Sequence, residues 1–254
     1  MIRRRHALLA PLALLPSARA AAAGAAAAGA AAPARELRLG GPEGVVRVFQ
    51  PRRYDAATAG VAIYVHGLYT TVDQAWHEHR LPAQFARSGR NALFIAPAAR
   101  TAAPEAPPWG DLQALLDRVA RAVPIPGGPL VAAGHSGAYK EIVLWLSHPR
   151  LHTLLFLDAL YGGERELRAW LEAADGNRLC LISHDTIPAA RAFIDDIPYA
   201  VHRQRAPHHF GGLGREARAA KLLSMDTRTD HFAIVTDGLL LPMLLQWAGL
   251  PARR

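Results

Sequence analysis

Leu130-Val131-Ala132-Ala133-Gly134-His135-Ser136-Gly137-Ala138 is the stretch that decides the architecture. An apolar run of strand character enters a glycine-rich turn, and a helical pattern starts at once, with Tyr139, Ile142, Val143 and Leu146 at helical spacing. A strand that turns this sharply into a helix needs small residues two before and two after the turn residue, because their backbones almost collide. Gly134 and Ala138 meet that need around Ser136. Such a turn lifts the serine hydroxyl clear of the strand, and helix entry just after it aims the Gly137 N–H at any negative charge that develops there. A serine hydroxyl is a poor nucleophile until a base takes its proton. The stretch therefore predicts a nucleophile and sends the search downstream for a base.

Working outward, short β-rich runs alternate with longer segments of helical period. The strand candidates are Val45–Phe49, Val61–Val65, Ala92–Ala96, Leu130–Ala133, Thr153–Leu157, Leu179–Ser183 and Tyr199–His202. Asp111 is placed to cap a helix whose apolar residues are Leu112, Leu115, Leu116 and Val119. Leu167, Trp170, Leu171 and Ala174 repeat the spacing before Gly176, and Leu239 to Trp247 reads as a last apolar helix with Pro242 in its first turns. The central strands are continuously apolar, as strands buried on both faces are. The pattern predicts an α/β fold with a mostly parallel central sheet flanked by helices on both faces.

Over roughly residues 45–250 the chain resembles the α/β-hydrolase family, on the Ser136 elbow, the Ile63-Tyr64-Val65-His66-Gly67-Leu68 turn and the late Asp230-His231. Ala138 departs from the pattern by replacing the usual final glycine. The resemblance implies that Ser136 is the nucleophile and that the His-Gly turn supplies a second oxyanion donor beside Gly137: the Leu68 N–H, or Tyr69 one step on. The His66 side chain is expected to hold that turn. Of twelve histidines, His208, His209 and His231 lie beyond the last strand candidate. His231 stands before the final helix, the family's place for the base, whereas His208-His209 sits in Pro/Gly-rich sequence. Two residues compete for the acid that orients the base. Asp158 ends the apolar run Thr153–Leu157, where a charge without a partner is costly, while Asp185 follows the next strand, the family's commoner place. Asp158 is preferred because it leaves the better-defined strand. Asp230, one residue from the base, points elsewhere.

Composition bounds the rest. The chain has 254 residues, 51% hydrophobic and 20% charged, enough to bury a sizeable core and too apolar for global disorder. The lone Cys180 cannot form an internal bridge. The formal charge is +8, and all but Lys140 and Lys221 of the 29 basic residues are arginines. They are scattered, not gathered on one element with interleaved aromatics, so nucleic acid is not expected as a partner. No dinucleotide or phosphate-loop motif follows a strand, so no cofactor is expected. His77-Glu78-His79 lacks the spacing that puts two histidines on one helix face, so no metal is expected.

Residues 1–20 read as an export signal: Arg3-Arg4-Arg5, an apolar stretch from Ala7 to Leu15, and Ala18-Arg19-Ala20 as a small-x-small cleavage site. The paired arginines resemble a degenerate twin-arginine leader, and Sec export is an equal alternative. Residues 21–35 are Ala/Gly-rich and read as a flexible spacer, leaving 36–254 as a single domain. No apolar run is long enough for stable membrane insertion. The expectation is an exported serine hydrolase, periplasmic or secreted, that cleaves an ester or amide of a small molecule or polymer through an acyl-enzyme on Ser136. The rivals are an acyltransferase with the same triad and a non-catalytic hydrolase-like module that binds the cell envelope. Nothing in the sequence speaks to oligomeric state.

Overall fold

Nine strands form one sheet in the order β1-β2-β4-β3-β5-β6-β7-β9-β8 in a computed structural model that describes residues 33–254. The strands are β1 (Arg35–Leu39), β2 (Val46–Gln50), β3 (Gly60–Val65), β4 (Ala92–Pro97), β5 (Leu130–His135), β6 (Leu151–Leu157), β7 (Arg178–Ser183), β8 (Ala200–Arg203) and β9 (Leu222–Asp226). Pairing is antiparallel for β1/β2 and β2/β4 and parallel across the rest. The helices are α1 (Val72–Glu78), α2 (Leu81–Ser88), α3 (Leu112–Ala120), α4 (Tyr139–Ile142), α5 (Glu164–Ala173), α6 (Ile187–Ile194), α7 (Arg215–Ala219), α8 (Ala233–Thr236) and α9 (Leu240–Trp247). The expected export signal and all but the last residues of the expected spacer lie outside the described residues. Among the described residues, no helix is long and apolar enough to cross a membrane.

The pleat sends alternate side chains to opposite faces, and the core is accordingly double. On β3, Val61, Ile63 and Val65 join one cluster, with Leu112, Leu115 and Leu116 of α3, Leu167 and Leu171 of α5, and Phe193 of α6. Ala62 and Tyr64 join the other, with Trp76 of α1, Phe85 of α2, and Leu241, Leu244 and Trp247 of α9. The expected mostly parallel α/β sheet covered on both faces is what forms.

Two strands and several helices escape the sequence pattern. β1 reads Arg-Glu-Leu-Arg-Leu, half-exposed at the sheet edge with little apolar alternation to mark it. β9, Leu-Leu-Ser-Met-Asp, is fully buried but has no β-branched residue. β9, next to the sheet edge, separates His208-His209 from His231 and puts His231 just beyond its own carboxyl end. The single helix expected after Ser136 is instead three short pieces, a 3-10 turn at Ser136–Ala138, α4, and a second 3-10 turn at Val143–Trp145. Pro242 is the third residue of α9, where its missing N–H leaves no intrahelical bond unmade.

In a parallel sheet the carboxyl ends of adjacent strands open onto one crevice. The β5/β6 register pairs His135 with Leu157, so the next residues along the two strands are Ser136 and Asp158. β7 and β9 end beside them at Ser183 and Asp226, which are also paired.

Candidate active site

Ser136 leaves β5 with a φ of 55°, in the left-handed region that side chains with a Cβ rarely adopt. The crowding inferred from sequence is real: a Cβ on Gly134 would lie 2.5 Å from Ile142 Cδ1 and 3.1 Å from the Ala138 Cβ. A Cβ on Gly67 would meet the Ser136 Cβ at 2.8 Å, and one on Gly137 the Leu68 Cγ at 2.7 Å. The turn after β3 and the turn after β5 are therefore packed directly against each other, glycine to side chain.

His66 holds the first of these turns, as expected. Its Nε2 accepts the Ala99 N–H at 3.0 Å, so Nδ1 carries the proton and donates to the Gly67 carbonyl at 2.8 Å. Burial lowers its pKa, which keeps the ring neutral. The choice between Leu68 and Tyr69 as second amide donor is narrowed, because the Tyr69 N–H is engaged by the Thr101 carbonyl at 2.8 Å. The Gly137 N–H opens the 3-10 turn and has no partner within it.

Asp158 is fully buried and also sits at positive φ, 49°. Its Oδ1 accepts the His184 N–H at 2.9 Å, the Thr186 N–H at 3.0 Å and the Thr186 hydroxyl at 2.7 Å. Its Oδ2 accepts the Asp185 N–H at 3.1 Å and the His231 Nδ1–H at 2.7 Å. Burial pushes this carboxyl up, but the hydrogen bonds from His231, His184 and Thr186 outweigh it and hold the group well below the usual carboxylate range. An anionic Asp158 fixes the proton of His231 on Nδ1 and leaves Nε2 as the basic nitrogen. The bond to Asp158 raises the His231 pKa against partial burial.

The rival Asp185 is exposed, with its carboxylate 3.7 Å from the same Nδ1. It gives Asp158 its backbone amide, and its carboxylate acts on His231 through charge and not through a hydrogen bond. Asp230 turns away, its Oδ1 accepting the Phe232 and Ala233 amides at the start of α8.

Ser136, His231, Leu68, Tyr69, Thr70, Gln74, Glu78, His79, His135 and Phe232 line one cleft of about 390 Å³. Among the described residues, no hydrogen bond joins Ser136 to His231. Such contacts are commonly long without substrate and tighten when one binds.

No protein-family model matches the sequence, and no curated protein matches it either. Solved structures do match the fold. A fluorophosphonate-binding serine hydrolase, FphF of Staphylococcus aureus, aligns with a TM-score of 0.56 at 13% identity, over 86% of this chain and 99% of its own. The feruloyl esterase module of Clostridium thermocellum aligns at 0.54 and 10% identity, over 84% and 88%. The S-formylglutathione hydrolase FrmB of S. aureus aligns at 0.53 and 13% identity, over 83% and 96%. This chain has the α/β-hydrolase fold.

Within that hydrolase fold, sequence reasoning overlooked several residues at the site. The His135 Nε2–H donates to the His231 carbonyl at 2.8 Å and fixes the loop that carries His231. Burial pushes its pKa down to about 3, so it stays a neutral donor. His79 is buried against the Tyr64 hydroxyl, 2.9 Å from Nδ1, with its pKa pushed down to about 4 by burial. The His184–Thr186 segment carries no motif at all, because it serves through backbone amides that every residue type possesses. Asp73, Trp76 and His77 are engaged away from the cleft: Asp73 bonds Arg38 and Arg47, Trp76 Nε1 donates to Glu36, and His77 meets Arg47.

Proposed function

We propose that the protein is a serine hydrolase of carboxylic esters, with Ser136 as nucleophile, His231 as general base and then acid, and Asp158 as the carboxylate that orients His231. The observation that carries this reading is the conjunction, at one cleft, of a serine on a strained strand-to-helix turn and a histidine hydrogen-bonded to a buried carboxylate. Ser136 Oγ attacks the ester carbonyl while His231 Nε2 takes its proton, and Asp158 stabilises the imidazolium that forms. The negative charge on the carbonyl oxygen falls to the Gly137 and Leu68 amides, which are aimed before the reaction and need no reorganisation. Collapse expels the alcohol with the proton from His231 and leaves the acyl group on Ser136. A water deprotonated by His231 then attacks, the acid leaves, and Ser136 regains its proton. An ester is the bond assigned because the solved neighbours of this fold include a feruloyl esterase.

A fluorophosphonate probe tests the reading. It should add to the peptide containing Ser136 and to no peptide of Ser136→Ala, whose turnover should fall by several orders of magnitude with the fold retained. Full-rate labelling of Ser136→Ala would move the chemistry elsewhere, and an unlabelled parent would favour a binding module. Product analysis with added alcohol separates hydrolysis from acyl transfer.

We also propose export, on the sequence of residues 1–20 alone. N-terminal sequencing of protein from the envelope or medium should begin at Ala21 or within a few residues of it. Intact Met1 on cytosolic protein would contradict this.

A further inference from the structure

Glu141 is an expensive residue for its position. It lies on α4, five residues after Ser136, and its carboxylate is buried. Its Oε1 accepts both the Arg100 Nε–H at 2.8 Å and the Arg100 backbone N–H at 3.2 Å. Taking a carboxylate and a guanidinium out of water is costly, and such pairs are often no more stabilising than apolar residues of the same volume. Stability alone gives this pair little reason to exist, so its geometry must be asked what it holds.

The bonds lead in one direction. Arg100 precedes Thr101, whose carbonyl accepts the Tyr69 N–H at 2.8 Å. Tyr69 is itself strained, with a φ of 63° and a ring almost wholly in solvent, so neither side-chain burial nor intrinsic preference keeps its backbone there. The bond from Thr101 does. The residue before Tyr69 is Leu68, whose side chain packs where Gly137 has no Cβ. Glu105 clamps the far side of the same segment: its carboxylate accepts the Thr101 N–H at 2.7 Å, the Thr101 hydroxyl at 3.0 Å and the Ala102 N–H at 3.2 Å. The path runs Glu141, Arg100, Thr101, Tyr69, Leu68, and it starts on the helix that follows Ser136. It ties the segment bearing one oxyanion amide to the segment bearing the nucleophile and the other.

We propose that Glu141 is a positioning residue for the oxyanion hole, setting the Leu68 amide against the Ser136 elbow through Arg100 and the strained Tyr69 turn. This rests on the reading of Ser136 as nucleophile. Glu141 touches neither substrate nor reacting atoms. Its effect is felt where charge develops on the carbonyl oxygen, so it acts on the transition state and hardly on the bound ester.

The test is kinetic, on purified protein whose labelled fraction is counted with the fluorophosphonate probe so that kcat is per active site. Loss of an oxyanion donor costs ~10²–10³ in kcat. A donor left in place but displaced costs less, so Glu141→Gln should lower kcat ~10–100-fold with KM within about twofold. A tetrahedral boronate adduct on Ser136 should weaken in the same proportion. The exposed Glu105→Gln, which leaves the buried pair intact, should lower kcat by a smaller factor, again without moving KM. Should Glu141→Gln fail to fold, the paired replacement Glu141→Leu/Arg100→Met fills the same space with apolar groups and should melt at or above the parent while kcat stays low. Parent-like kcat per active site in a folded Glu141 variant would overturn the proposal, as would a rise in KM with kcat unchanged. Failure of the parent to label at Ser136 would instead overturn the hydrolase reading beneath it.

Discussion

Two neighbouring strands, β5 and β6, are each followed directly by a non-glycine residue in the left-handed region, Ser136 at φ 55° and Asp158 at φ 49°. A residue so placed costs ~1–3 kcal/mol and persists only where its surroundings over-determine it. The surroundings differ completely. Around Ser136 the packing is close: a Cβ on Gly134 would meet Ile142 Cδ1 and the Ala138 Cβ, one on Gly137 the Leu68 side chain, and one on Gly67 the Ser136 Cβ itself. Asp158 has Leu157 and Ala159 as neighbours and no such crowding written around it. Hydrogen bonds hold it, three from residues 184–186 through their amides, one from the Thr186 hydroxyl and one from His231. On the proposed reading, one strand end presents a hydroxyl that moves during the reaction, and the other buries a carboxylate that stays still. Steric confinement suits the first because it leaves Oγ free, and a saturated carboxylate suits the second because no lone pair is left to wander.

The contrast can be broken at either end. The largest effect on stability should come from Gly134→Ala, whose Cβ meets Ile142 Cδ1 at 2.5 Å and the Ala138 Cβ at 3.1 Å. Overpacking of this kind costs ~1–3 kcal/mol, and the melting temperature should fall together with probe labelling, since the elbow must open to accommodate the methyl. A parent-like melting temperature and labelling rate would show that the elbow is not sterically set. The smaller effect belongs to Thr186→Val, which removes one hydroxyl donor from Asp158 and leaves three backbone amides. One such bond is worth ~1 kcal/mol, so thermal stability should drop slightly and turnover by no more than about tenfold. Abolished turnover in Thr186→Val would mean that the carboxylate hangs on one bond and not on a cradle.

The same contrast explains what could be read before folding. Steric confinement is written as small residues at fixed offsets, so Ser136 and its turn were legible from nine residues. Seven of the nine strands were legible for a similar local reason, a short apolar run bounded by turn residues. β1 was not, because a half-exposed edge strand has little apolar signal. β9 was not, because Leu-Leu-Ser-Met-Asp has no strand signature without its neighbours β7 and β8. The helix after Ser136 kept its apolar period but not its continuity, which the period cannot report. Asp158 was legible only as a charge out of place after an apolar strand, with Asp185 as a standing rival. Its partners lie 26 to 28 residues downstream, in His184, Asp185 and Thr186, and 73 downstream in His231. Three of those contacts are backbone amides, which no side-chain pattern announces. The coupling through Glu141 and Arg100 was unreadable for the same reason, since its links to Thr101 and Tyr69 are main-chain.

The central claim is that the carboxylate at the end of β6, and not the one after β7, supports the base. Asp158→Asn and Asp185→Asn, assayed side by side for kcat/KM against pH, test it most directly. Removing the buried carboxylate should lower turnover by as much as ~10⁴. It should also move the acid limb of the profile to lower pH, because the hydrogen bond to Asp158 is the largest of the influences that raise the His231 pKa, ahead of the charges of Asp158, Asp185 and Asp230, and its loss lets that pKa fall. Asp185→Asn should stay within about tenfold of the parent, since its carboxylate is exposed and acts on His231 only through a screened field. A dead Asp185→Asn beside a live Asp158→Asn would contradict the account.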